Sequence, residues 1–300
     1  MITIQPGRNF VAGVIGEKID PVQSPVRLVL EFLADLFDKG LKYRTINNYR
    51  SAISARHELV EGRPLGEHRD VCRLMKGINN ERPPEPRYCT TWDISTVLDF
   101  VKSLGENQAL SDKNITLKLS LLLAITSAHR GAELKQLKVS LMNLHEEFVD
   151  FSFNVKLKTS KQGKKDSSSK FHQFNDDQRV CPLACLRAYL DRSREWRYEG
   201  DSLIQEQLLL SYIKPHKVVS KPSIARWIKE FLGMSGINIE VYKAHSTRAA
   251  ATSKADSLGL RIEDIVVQGN WTNRTTFERF YRRPIDPRGK AFQHSILGAK

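Results

Sequence analysis

The sequence predicts a mainly α-helical protein of two domains that carries one small antiparallel β-sheet. Apolar residues recur at helical spacing along most of the chain, a single stretch alternates with a period of two, and a proline cluster divides the whole unequally. With 300 residues, 40% of them hydrophobic and 27% charged, the chain is long enough and apolar enough to build real cores rather than remain disordered.

Residues 1–20 show no period and read as an N-terminal arm. A helical domain follows over 21–82. Ser24 is placed as an N-cap with Pro25 at the first helical position, and Val26, Val29, Leu30, Leu33, Leu36 and Phe37 form an apolar stripe that Gly40 ends. Thr45 opens a second helix through Ile46, Tyr49 and Ile53 to Val60. Gly62, Pro64 and Gly66 break the chain, and a third helix holds Val71, Leu74 and Met75. Pro83, Pro84 and Pro86 cannot continue a helix, so 83–88 is the linker. The second domain covers 89–287 and opens with helices over Trp92–Leu104 and Asn114–Ser127. Phe151, Phe153, Val155 and Leu157 then alternate with Ser152, Asn154, Lys156 and Lys158, the pattern of a half-buried strand. Ser160–Asp166 is a turn and Ser168–Phe174 the returning strand. Helices are predicted over Pro182–Tyr189, Ser223–Phe231, Ser246–Leu258, Ile262–Gln268 and Thr275–Arg282, with a tail at 288–300 whose Phe292, Ile296 and Leu297 suit one short helix.

Lys plus Arg number 47 and Asp plus Glu 34, a net charge of +13. Such a balance suits a polyanion, nucleic acid first and an anionic membrane surface second. No apolar run approaches the ~18 residues of a membrane span, and the first residues lack the pattern of a signal peptide. Cys181 and Cys185 form a C-x3-C without a second pair, so with Cys72 and Cys89 they read as free thiols of a reducing compartment rather than metal ligands.

Four groups of residues could carry chemistry. His245 and Arg248 lie three apart at a helix start, where an Arg can fork a phosphate while the His exchanges a proton, although a surface pair gives the same spacing. Arg130 and Glu133 follow the apolar run Leu121–Ile125; they suit a phosphate-binding Arg held by a carboxylate, or a plain ion pair, and His129 is assigned to structure. Trp271 and Tyr281 offer an indole donor and a phenol amid Arg279, Arg282 and Arg283; helix packing is the alternative. Six lysines between Lys156 and Lys170, among them Lys158 and Lys161, face one acid, Asp166. They fit a hairpin entering a groove of DNA, a solvated turn or a nuclear-import patch.

Taken in order, Arg130, a strand lysine, His245-x-x-Arg248, Trp271 and Tyr281 resemble the tyrosine recombinase (phage-integrase) family over nearly the whole chain. Thr45–Ile53 resembles that family's helical, SAM-like core-binding domain. Arg73–Gly77, Ala244–Ala250 and Gly269-Asn270-Trp271 look most like recombinases of eukaryotic mobile elements, of the DIRS or Crypton kind. The resemblance implies a core-binding domain joined to a mixed α+β integrase catalytic domain. It implies that Arg130 and Arg248 clamp the scissile phosphate, His245 takes the tyrosine proton, Trp271 supports the phosphate, and Tyr281 forms a 3′-phosphotyrosyl link. Lys158 is implied as general acid, flanked by Lys156 and Lys161, with Glu133 supporting Arg130. Arg44, Arg50 and Lys76 are implied as DNA-backbone contacts. The partner implied is double-stranded DNA, gripped by a homotetramer on two sites, with no membrane, metal, cofactor or ATP required. The location is the nucleus in a eukaryote and otherwise the cytoplasm, on DNA. The rival functions are a catalytically silent DNA-binding protein, a type IB topoisomerase-like enzyme and, more distantly, a metal-dependent nuclease.

Overall fold

The structure, a computed structural model, describes residues 20–84, 88–155, 168–198 and 200–285. The arm up to residue 19, the tail at 288–300, the turn at Ser160–Asp166 and Lys156, Lys158 and Lys161 lie outside the described residues. The chain divides into two compact units, Met1–Arg87 and Tyr88–Lys300.

The first unit is three helices: α1 (Val26–Asp38), α2 (Tyr43–Ser54) and α3 (Arg69–Glu81). Its core is the predicted stripe, with Val29, Leu33 and Leu36 meeting Ile46, Ile53, Val71 and Met75. Gly40 ends α1 with φ +83, a conformation that only glycine adopts without cost. Two boundaries differ from expectation. Pro25, not Ser24, occupies the cap position of α1, and no side chain caps that end. Val60 does not extend α2. It pairs with Arg63 across a two-residue turn whose Glu61 and Gly62 both have positive φ, the backbone of a tight hairpin. Arg82 closes the unit by donating to the carbonyls of Phe37 and Leu41 while its guanidinium covers the Phe37 ring at 4.2 Å.

In the second unit, α4 (Ile94–Ser103) is capped by Asp93 and α5 (Asp112–Ser127) by Ser111. Helix α5 is the central rod. It is buried almost all round and touches each of α7 (Pro182–Arg192), α10 (Lys221–Met234) and α11 (Ser246–Ser257). That accounts for its continuous apolar run, since a helix covered on every side needs no polar stripe. After the short α6 (Gly131–Leu134) comes an antiparallel sheet in the order β1 (Met142–Leu144), β2 (Phe148–Ser152), β3 (Ser168–His172). Val149, Phe151 and Phe171 face the core, while Asp150 pairs with Lys170 on the other face. The strand predicted from Phe151 thus starts three residues earlier and stops at Ser152. Phe153 is still buried, but Val155 is exposed. The returning strand ends at His172, and β1 is an element the alternation did not reveal. The chain continues through α8 (Arg194–Tyr198), α9 (Ser202–Glu206), α10, α11, α12 (Ile262–Gln268) and α13 (Arg274–Phe280).

All four cysteines are free, as expected. Cys181 is the cap of α7, its sulfur accepting from the amides of Phe174 and Ala184, and burial pushes the Cys185 thiol up to about 12. Among the described residues no helix is long and apolar enough to cross a membrane, and no cluster of His, Cys, Asp or Glu suits a metal ion.

One core position works against stability. Lys118 on α5 is fully buried, and its Nζ finds no hydrogen-bond partner among the described residues. Burial lowers its pKa from 10.5, so the folded state disfavours the charged amine and stability rises as pH climbs toward that value. Lys118→Met is expected to raise stability at pH 7 by about 1–3 kcal/mol and to flatten this alkaline rise, both read from denaturant titrations across pH.

Candidate active site

Six of the residues singled out in the sequence, Arg130, Glu133, His245, Arg248, Trp271 and Tyr281, converge in the second unit. Arg130 stands at the N-cap of α6, where Glu133 reaches back to accept from its backbone N–H at 2.8 Å and from its guanidinium Nη1 at 2.7 Å. One carboxylate thus caps the helix and orients the arginine. Burial alone would push the Glu133 carboxyl up. The nearby His129 ring, 3.4 Å away, and hydrogen bonds from the Arg130 amide and guanidinium outweigh it and hold the group at about 2.

Arg248 lies in the first turn of α11, and its side chain is fully buried. Nη1 donates to the carbonyl of Ala128 at 2.6 Å, Nη2 donates to the carbonyl of Gly269, and Nη1 is 4.0 Å from Glu133 Oε2. Burial, with repulsion from Arg130, lowers its pKa to about 10, while Tyr281 and Glu133 pull the other way; the guanidinium keeps its charge at neutral pH. Ala128 turns its carbonyl there by ending α5 in the left-handed conformation, φ +52.

The Gly269-Asn270-Trp271 run builds the next wall. A Cβ on Gly269 would overlap the Trp271 ring, so only glycine permits this approach. Asn270 takes φ +48, which asparagine tolerates better than most residues. Trp271 lies with its ring 4.1 Å from the Arg248 guanidinium carbon, and its buried indole N–H has no partner among the described residues. Tyr281 then packs against Trp271 with the rings tilted, centroids 4.7 Å apart, and with the Arg248 guanidinium 5.2 Å from its own ring. Its hydroxyl hydrogen-bonds His245 Nε2 at 3.1 Å.

Helix α13 ends at Phe280, two residues before the predicted Arg282, so the phenol is carried on a C-cap residue rather than a helical one. The Ser253 hydroxyl of α11 fixes this exit by donating to the Tyr281 carbonyl and accepting from the Arg283 amide, each at 3.0 Å. Tyr242, the other phenol near His245, pairs instead with Thr90 Oγ1 at 3.2 Å.

Three further predicted residues, Arg44, Arg50 and Lys76, lie in the first unit. Arg44 and Lys76 are exposed on α2 and α3 of the first unit. Arg50 is half-buried there and donates to the Gly66 carbonyl at 3.3 Å, which gives it a part in that unit's own packing. One contact was not anticipated: His129 joins Ser169 of β3 at 2.7 Å.

No family model and no curated protein matches the chain. Among solved structures, it is similar to a XerH site-specific recombinase bound to a palindromic difH substrate (14% identity, TM-score 0.59, covering 91% of this chain and 73% of that one). It is also similar to the Tn1549 transposon integrase in complex with transposon right end DNA (12% identity, TM-score 0.56, covering 91% and 85%). A lambda integrase dimer bound to a core site matches at 13% identity and a TM-score of 0.51, covering 95% and 91%. At such identities the likeness is one of fold: mainly helical with a three-stranded antiparallel sheet, the fold of tyrosine recombinase catalytic domains.

Glu133 makes the site's stability depend on pH. Its carboxyl is depressed from 4.5 to about 2, so its contribution is complete above 4.5 and is lost as pH falls through 2. Glu133→Gln is expected to cost about 2–3 kcal/mol at pH 7 and to abolish this acid-dependent loss, both measurable by chemical denaturation from pH 2 to 7.

Proposed function

We propose that the chain is a site-specific DNA strand transferase of the tyrosine recombinase class. The observation that carries this reading is the hydrogen bond between Tyr281 Oη and His245 Nε2, set beside two guanidinium groups that share the Glu133 carboxylate. A phenol next to a base is an activated nucleophile, and paired arginines suit a phosphate whose charge grows as it becomes pentacoordinate.

The chemistry follows from these placements. His245 takes the phenolic proton as Tyr281 Oη attacks phosphorus. The bond from phosphorus to the 5′-oxygen breaks, and that oxygen leaves with a proton from Lys158, the hairpin lysine whose place in the sequence fits the task. The product is a 3′-phosphotyrosyl ester and a free 5′-hydroxyl. Because one phosphate ester replaces another, an incoming 5′-hydroxyl can reverse the step on a new strand without ATP. Arg130 and Arg248 hold the non-bridging oxygens, and Trp271 lends its indole N–H. Arg248 commits two of its five N–H groups to carbonyls, which leaves three for phosphate. It is fully buried against Trp271 and Tyr281, so on this reading DNA docking shifts the phenol from its resting place on the guanidinium.

The helical first unit would serve as the core-binding domain, with Arg44 and Lys76 on phosphates; such contacts give affinity and salt dependence rather than sequence information. Recombination between two sites calls for two protomers on each, hence a tetramer. The phrases Arg73–Gly77 and Ala244–Ala250 favour a eukaryotic mobile-element origin of the DIRS or Crypton kind, and with it a nuclear location. The covered Arg248 guanidinium favours one other reading, a protein that binds DNA without cutting it.

Incubation with a pool of nicked duplexes of randomised sequence in EDTA separates the two. The strand transferase is expected to yield a covalent protein–DNA adduct that Tyr281→Phe does not form although it still binds DNA. Arg130→Ala and Arg248→Ala are each expected to slow adduct formation about 10²–10³-fold. DNA retention without any adduct from the wild type would establish the binding protein instead, and adduct from Tyr281→Phe would rule out this nucleophile.

A further inference from the structure

The strand-transfer chemistry gives no task to the segment Thr90–Trp92, yet its three residues touch both sides of the Tyr281–His245 pair. Thr90 Oγ1 hydrogen-bonds the hydroxyl of Tyr242 at 3.2 Å, three residues before His245. The Thr91 amide donates to the Pro284 carbonyl at 2.9 Å, three residues after Tyr281, and Thr91 pairs with Ile285 as a parallel bridge. The Trp92 indole Nε1 donates at 2.9 Å to the hydroxyl of Ser246, the residue that follows His245. Trp92 and Ser246 are both buried.

His245 stands at the cap position of α11 but its side chain makes no capping bond, so the place of its imidazole follows from the first turn of that helix. The Trp92 indole ties this turn from outside the helix. An indole is a donor only and its ring is a rigid plate, so its N–H fixes a direction as well as a distance. Arg248, two residues past Ser246, is anchored separately, its guanidinium donating to the carbonyls of Ala128 and Gly269. On the other side, the chain that leaves Tyr281 is held by Ser253 Oγ and then by the Thr91 amide. The base and the phenol lie 36 residues apart in sequence, yet both take their places from neighbouring residues of one short segment.

We propose that Trp92 is a positioning residue that, through Ser246, holds His245 in line with the Tyr281 hydroxyl, while the neighbouring Thr91 amide holds the chain that leaves Tyr281. The inference rests on the strand-transferase reading and adds to it what keeps the base and the nucleophile in register. Without the indole donor, the first turn of α11 loses its lateral tie and the imidazole moves off the phenol. Misplacing a reacting group by about 1 Å costs on the order of 100-fold in rate. The loss falls on removal of the phenolic proton and not on the grip of the arginines, because Arg248 keeps its own partners. The phenol faces His245 and the Arg248 guanidinium, and both groups remain when the tie is cut. A free tyrosine loses its proton at roughly pH 10, so alkaline solution takes over the task of the displaced base.

The test uses the full chain and a duplex recovered from the randomised pool, with adduct formation followed from about pH 7 to about pH 9.5 and each variant compared with wild type at every pH. Trp92→Phe keeps an aromatic ring and loses the donor; Ser246→Ala removes the acceptor. Each is expected to form adduct about 10–100-fold more slowly than wild type at pH 7, with unchanged DNA binding, and to approach the wild-type rate as pH rises. Both substitutions cut the same bond, so the double variant is expected to be no slower than the slower single one. Ser246→Ala removes a single oxygen, so a folding defect in Trp92→Phe would not blur the result. A deficit that is the same at every pH, deficits that multiply in the double variant, or no slowing in either single variant would overturn the proposal and leave the strand-transferase reading standing. A wild type that forms no adduct at any pH would overturn that reading, and this inference with it.

Discussion

A guanidinium group buried out of water needs negative partners, and Arg248 obtains two of them from the ends of two helices while its buried Nε has no partner among the described residues. Ala128 is the C-cap of α5 and Gly269 the C-cap of α12, and each turns a carbonyl onto one of the Arg248 amino groups. A helix C-terminus carries partial negative charge, so two of them converging on one cation offset much of its lost hydration. Glu133 adds a full charge at 4.0 Å. With Arg248 held in this way, whatever lies against it is held as well. Trp271 packs on the guanidinium and Tyr281 on Trp271, and the phenol then reaches His245, which stands at the start of the same helix α11 as Arg248. The order of assembly runs from one buried charge outward to the exposed reactive groups.

That order also accounts for what could be read in the sequence. Helices were legible from their apolar spacing, over Trp92–Leu104, Asn114–Ser127, Ser223–Phe231 and Thr275–Arg282, whereas the side chains that cap them, Asp93, Ser111, Ser220 and Asn273, were not read from the sequence. The residues of the cluster were legible because side chains of these types, in this order, resemble a family. Their joining was not. It depends on Ala128 and Asn270 taking positive φ and on α13 stopping at Phe280, and these are outcomes of tertiary contact rather than of local preference. The strand pattern misled for a related reason. Phe153 is buried beside His129 rather than within a ladder, so inward-facing residues outrun the hydrogen-bonded strand. Strand β1 spans three residues with no buried position, too short and too exposed for alternation to register.

His129 shows how an assignment from sequence leaves a side chain's surroundings open. Reading it as structural rather than catalytic agrees with its burial, but the sequence could not place Ser169, forty positions later, against its ring. The signal was indirect. A histidine wedged between a left-handed helix end and an arginine that a carboxylate orients is cut off from water, and of its two ring nitrogens only Nε2 finds a hydrogen-bond partner among the described residues.

The cradle around Arg248 places few demands on the sequence around it. Two of the three groups that hold the guanidinium are backbone carbonyls, which every residue type provides. Helix α5 needs only to be buried and mostly apolar, a condition many sequences meet. The demands on side-chain identity are therefore confined to few positions. A carboxylate must sit three residues after Arg130, a glycine must let the Trp271 ring approach, and a phenol must end α13. Sequence can drift almost everywhere else while the buried charge, and the geometry that depends on it, stays where it is.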